Sequence, residues 1–143
     1  MRDNHAKGLC LTLFLAVVGS AIFLSGGGVS AQPLPDLIVA KIECVPPQSH
    51  LSFTVVNRSN APLPAGWKAV AEVYLPERIK ETVDLARPTS GSIEPAGGNA
   101  TYLLPYQIKR KISVKVVVDS TNSIRESNER NNEKVQRLEP CPR

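Results

Sequence analysis

Between Lys111 and Val135 the chain reads KISVKVVVDSTNSIRESNERNNEKV, and the first half of that stretch decides what the chain can fold into. Ile112, Val114, Val116 and Val118 recur at every second position, with Ser113, Lys115 and Val117 between them. That period of two belongs to a strand that buries one face. The alternation breaks at Asp119 into a run of Ser, Thr, Asn and Glu and resumes near Val135. A strand, a polar connector and a return strand are expected. The connector is rich in side chains that bond neighbouring backbone, which gives it a definite shape.

The same pattern recurs upstream. Asp36 to Cys44 alternates Ile38, Ala40, Ile42 and Cys44 against Leu37, Val39, Lys41 and Glu43, and Pro46-Pro47 ends it. His50 to Asn57 places Leu51, Phe53 and Val55 on one face. Trp67 to Leu75 places Ala69, Ala71, Val73 and Leu75 on one face and stops at Pro76. Ile79 to Ala86 is a weaker strand, Arg87 to Gly98 reads as connection, and Asn99 to Leu104 is a short strand stopped by Pro105. No helical repeat of apolar residues extends beyond two turns. About seven short strands with turn signals between them describe an all-β chain, a two-sheet antiparallel β-sandwich, with Trp67 as a core anchor whose indole N–H needs a partner.

Residues 1–31 read as a cleaved secretory signal peptide. Arg2 and Lys7 precede an apolar run from Leu9 to Leu24, and Val29-Ser30-Ala31 offers the small residues for cleavage before Gln32. The apolar run falls short of the ~20 residues that span a bilayer, so no stable membrane span is expected after cleavage. The mature domain is then 32–143, secreted or periplasmic. Losing Arg2, Lys7 and Asp3 takes the net charge from +4 to +3. With one dense basic cluster, Lys109-Arg110-Lys111, that charge gives no case for nucleic acid as a partner. Cys44 and Cys141 are the two cysteines left, and an even count in an oxidising compartment reads as a disulfide.

Several of these segments together resemble a known family. Pro35-Asp36-Leu37-Ile38-Val39, Phe53-Thr54-Val55-Val56-Asn57, Ile93-Glu94-Pro95-Ala96-Gly97-Gly98, and Val118-Asp119 followed by Ile124-Arg125-Glu126-Ser127-Asn128-Glu129-Arg130-Asn131-Asn132 are similar to CARDB, the cell-adhesion-related domain found in bacteria. The likeness covers nearly all of the mature chain. It implies an immunoglobulin-like fold on an exported prokaryotic protein, with a role in adhesion or binding. The turn after Asn57 lacks the glycine often found there, and the cysteine pair is particular to this chain.

Asp119, Asn122, Glu126, Glu129, Asn131 and Asn132 are oxygen-bearing, and calcium takes six to eight such ligands. Counted from Asp119, however, Ile124 stands where an EF-hand needs glycine and Arg130 where it needs the bidentate glutamate. The structural alternative has Asn131 and Asn132 bonding loop backbone, while the glutamates pair with Arg125 and Arg130 or face water. No metal, cofactor or catalytic residue is expected. A serine-histidine arrangement would have to use His50, no Gly-x-Ser-x-Gly elbow exists, and Asp84, Glu72 and Glu77 read as solvated charges. Asn57-Arg58-Ser59 and Asn99-Ala100-Thr101 match the glycosylation acceptor pattern.

Two function classes follow. One is an exported, non-enzymatic binding or adhesion module, monomeric, with a protein or glycan partner. The other is a structural or accessory envelope protein, with a calcium-stabilised loop at 119–132 as a variant of it. A large exposed apolar patch favours the first. Leu37, Val39, Val56, Val70, Tyr74 and Val117, on nominally outward positions, are the residues that would form it.

Overall fold

The computed structural model describes residues 32–141. The leader expected over residues 1–31 and its cleavage point lie outside them. Eight strands form: β1 (Leu37–Val45), β2 (His50–Asn57), β3 (Val70–Tyr74), β4 (Lys80–Asp84), β5 (Ser90–Ser92), β6 (Asn99–Gln107), β7 (Ile112–Val117) and β8 (Glu133–Leu138). They make two antiparallel four-stranded sheets, ordered β1-β2-β6-β5 and β4-β3-β7-β8, the two-sheet sandwich that the alternation predicts and the immunoglobulin-like one that the family resemblance implies.

The alternating residues of β2, β3 and β7 do what their period requires. Leu51, Phe53 and Val55, then Ala71 and Val73, then Val114 and Val116 are fully buried between the sheets. Phe53 stacks on Tyr102 of β6 with ring centroids 5.0 Å apart, at the middle of the core. The Tyr102 hydroxyl donates to the Leu85 carbonyl at 2.7 Å, and burial pushes its pKa up.

Five expectations are corrected. Leu37 and Val39 are core residues, because β1 changes face at a bulge: Val39 pairs with Val55 and Lys41 with Thr54, so Ala40 has no partner. One extra residue in a strand inverts the parity after it. Inside Arg87 to Gly98 there is a strand, β5, which pairs Ser90, Gly91 and Ser92 with Thr101, Ala100 and Asn99. Gly91 makes this pairing possible, since its φ is +77° and a Cβ there would lie 2.3 Å from the Asn99 carbonyl oxygen.

Pro105 does not stop β6. It falls with Tyr106 where β6 has no residue opposite in β2, between the pairs His50–Gln107 and Leu51–Leu104, so no ladder bond is asked of it. Trp67 precedes β3 and is only half-buried, packed against the margin of the core that Phe53 and Tyr102 occupy. Val135, on the return strand, points outward, and Leu138 is the buried apolar residue of β8.

The Cys44–Cys141 disulfide is present and ties the end of β1 to the C-terminal tail, 97 residues away. Among the described residues no helix is long and apolar enough to cross a membrane.

Candidate functional site

The polar connector 119–132 leaves β7 in one sheet and reaches the first residues of β1 in the other. Its shape follows from its side chains. Asp119 is buried, and its carboxylate accepts the amides of Ser123 at 3.0 Å and Ile124 at 2.8 Å. This tight turn, helped by left-handed φ values of 42° at Asp119 and 52° at Asn122, drives Ile124 into the core. The Asn122 amide in turn donates to the Asp119 carbonyl at 2.8 Å.

Glu126 follows, also buried. Its Oε2 accepts the backbone amide of Leu37, and its Oε1 accepts Nδ2 of Asn132 at 2.8 Å. The Glu126 amide donates to Oε1 of Glu129 at 2.7 Å, and the Ser127 amide to the Pro35 carbonyl at 2.9 Å. Asn131 donates from Nδ2 to Oδ1 of Asp36 at 2.8 Å, while Arg58 holds the other oxygen of Asp36 at 2.9 Å. Asn57 completes the joint. It is fully buried, with Nδ2 on the Ala61 carbonyl at 2.8 Å, so the first glycosylation pattern is inside the fold.

The six oxygen-bearing residues therefore share one segment, and its three carboxylates are turned toward amide donors. Asp119, Glu126 and Glu129 each engage backbone N–H groups, Asn131 and Asn132 each donate to a carboxylate, and the Asn122 side chain is exposed. Among the described residues no three His, Cys, Asp or Glu side chains are grouped to hold a metal ion. Of the expected alternatives for the glutamates, pairing with Arg125 and Arg130 is not found: both arginines are exposed and neither takes part in an ion pair among the described residues. Glu129 is exposed, and Asn131 and Asn132 bond the carboxylates of Asp36 and Glu126 rather than loop backbone. Burial pushes the Glu126 carboxyl up to about 7, against the two hydrogen bonds that favour its ionised form. Nothing in charge or spacing points to Asp36, and Asn57 and Arg58 stand out only as part of the glycosylation pattern, although Asp36 and Asn57 belong to the segments that carry the family resemblance. The segment is a clasp that closes one end of the sandwich.

A second arrangement lies at the β4 edge of the β4-β3-β7-β8 sheet. Leu85 donates to the Ala69 carbonyl at 3.0 Å, and Leu75 to that of Ile79 at 2.9 Å. Odd-numbered residues of β4 therefore turn their backbone toward β3. Lys80, Thr82 and Asp84 turn theirs outward, to an edge with no strand beside it. Alongside runs a cleft of about 430 Å³ lined by Glu81 to Asp84 and Arg87 on one side and by Leu103 to Tyr106 on the other. β5 pairs only with Asn99 to Thr101 of β6, and Leu103, beyond that pairing on the second side of the cleft, is 44% exposed.

The remaining candidates are spread apart. Glu72 pairs with Lys80 at 3.0 Å, and the Tyr74 hydroxyl bonded to Glu72 holds that carboxyl below its usual range. Glu77 pairs with Arg110, Asp84 with Arg87 at 3.4 Å, and His50 is half-buried at the start of β2. Of the nominally outward apolar residues, Val56, Val70 and Val117 are half-buried and Tyr74 is exposed.

A crystal structure of a CARDB domain from Pyrococcus furiosus, in complex with di-metal ions, is similar at 20% identity with a TM-score of 0.49, covering 74% of this chain and 93% of that one. A search of curated proteins found no match. The family model for CARDB matches residues 34–136, from the leader of β1 to the end of β8. With that span of its sequence matched, the chain belongs to the CARDB family.

Proposed function

We propose that this protein is an exported, non-enzymatic binding module that takes an extended segment of a protein partner along the open edge of β4. One observation carries the reading: the outward backbone groups of Thr82 stand beside a cleft whose opposite wall is the apolar surface of Leu103, Pro105 and Tyr106. A strand added there finds main-chain hydrogen bonds for affinity and a place for every second side chain over Leu103, which is how edge addition combines strength with selection. The other long strand of the neighbouring sheet edge is closed to such a partner. β1 is bulged at Ala40, and Nζ of Lys134 donates to the Ala40 carbonyl at 2.5 Å.

The test is a pull-down from envelope extract with wild type and with Thr82→Pro. Proline removes an outward donor while leaving the ladder to β3 intact. A protein held by wild type and lost by the variant is expected. Identical proteins held by both would overturn the reading.

A further inference from the structure

We infer that the opposite edge of the same sheet, strand β8, joins two copies of this chain in an antiparallel pair. The sequence of β8 is Glu133-Lys134-Val135-Gln136-Arg137-Leu138. The Val118 amide donates to the Asn132 carbonyl at 2.8 Å, which makes even-numbered residues of this segment the ones bonded to β7. Glu133, Val135 and Arg137 turn their backbone groups to the free edge. The Arg137 carbonyl is met there by its neighbour's side chain, Nε2 of Gln136, at 3.2 Å.

Their side chains stand on the outer face. Val135 is 58% exposed, the most open of the large apolar residues of the described chain. Arg137 is exposed and takes part in no ion pair among the described residues, while Glu133, also exposed, pairs with Lys115 of β7 at 2.6 Å, a solvent-facing contact that an incoming arginine would share. Laid antiparallel on a second copy with the two-fold axis at Val135, the strand is complementary to itself. Val135 meets Val135, and Glu133 meets Arg137 twice. All three residue pairs are the kind that exchange both backbone hydrogen bonds, because the outward-facing residues coincide. Shifting the register by two residues in either direction loses both the apolar contact and the charge match. An isologous contact of this sort closes at two copies rather than growing into a fibre.

A single strand pair buries little surface, so the dimer is reversible and depends on concentration. It leaves β4 free, so it does not rest on the partner site proposed above, and it replaces the monomer expected from the sequence.

Sedimentation velocity over a wide range of concentration, with the disulfide intact, tests it. Wild type is expected to pass from monomer to dimer. Glu133→Arg and Arg137→Glu each turn both two-fold-related pairs repulsive and should weaken association by roughly tenfold. The double variant Glu133→Arg with Arg137→Glu restores the complementarity and should recover wild-type association, while Val135→Lys abolishes it. Both charged positions are exposed, but Glu133→Arg also removes the pair with Lys115, so the melting curve of each variant is recorded alongside and association is compared where all are folded. A wild type that stays monomeric throughout, single variants that associate like wild type, or a double variant that fails to recover would each overturn the inference.

Discussion

Replacing Glu126 by glutamine keeps the shape of the clasp and removes its titration. Glu126 is 5% exposed, and burial lifts its carboxyl from 4.5 to about 7. Between those values the folded protein holds a proton that the unfolded chain has released. The stabilisation from this group is therefore complete below pH 4.5 and is lost as pH rises through about 7. A shift of this size corresponds to about 3 kcal/mol. Glutamine carries no such proton. Its carbonyl oxygen can still accept the Leu37 amide, and a flip of the Asn132 side-chain amide would present Oδ1, a buried atom without a hydrogen-bond partner among the described residues, to its N–H in place of Nδ2. Urea unfolding at a series of pH values, followed by the fluorescence of the single tryptophan, Trp67, reads the effect. The stability of Glu126→Gln relative to wild type should rise by about 3 kcal/mol across the window from acid to neutral. Glu126→Ala, which strands the Leu37 amide and Nδ2 of Asn132, should lose about 1–3 kcal/mol for each group at every pH. Parallel pH profiles for wild type and Glu126→Gln would refute the assignment of the titration to this carboxyl.

Reducing the Cys44–Cys141 disulfide, or replacing both residues with serine, frees a loop of 97 residues and should cost roughly 4–5 kcal/mol in denaturant unfolding. Gly91→Ala forces a Cβ onto the Asn99 carbonyl and should cost about 1–3 kcal/mol, with faster amide exchange in β5 and the facing part of β6. Calcium should leave the melting temperature unchanged and evolve no binding heat in a titration, because the carboxylates of Asp119 and Glu126 already hold backbone amides.

Strand existence and face were legible wherever alternation ran unbroken, as in β2, β3 and β7, because a period of two determines which side chains meet the core. β1 misled for the same reason. The bulge at Ala40 is set by its pairing with β2, and nothing local in Asp36 to Cys44 announces it. β5 has no apolar side chain to reveal it; a glycine's freedom and the neighbouring β6 create it. Trp67 shows that the largest side chain need not hold the centre: Phe53 and Tyr102 face each other across paired strands, whereas Trp67 sits in the approach to β3. In the connector, Asp119 bonding its own following amides follows from local chemistry. The partner of Glu126 did not, since the Leu37 amide lies 89 residues away. The open edges of β4 and β8 were invisible as well, because edge position is a property of strand order and not of composition.

The segment 119–132 closes one end of the fold, and both outer strands of the β4-β3-β7-β8 sheet have no strand beside them. Residue-resolved amide hydrogen exchange in dilute protein tests this directly. The amides of Leu37 and Ile124, held by Glu126 and Asp119, should be among the slowest, and those of Lys80, Thr82, Val135 and Arg137 should exchange freely until protein or partner is added. Fast exchange at Leu37 and Ile124 together with protected edge amides in the dilute sample would contradict it.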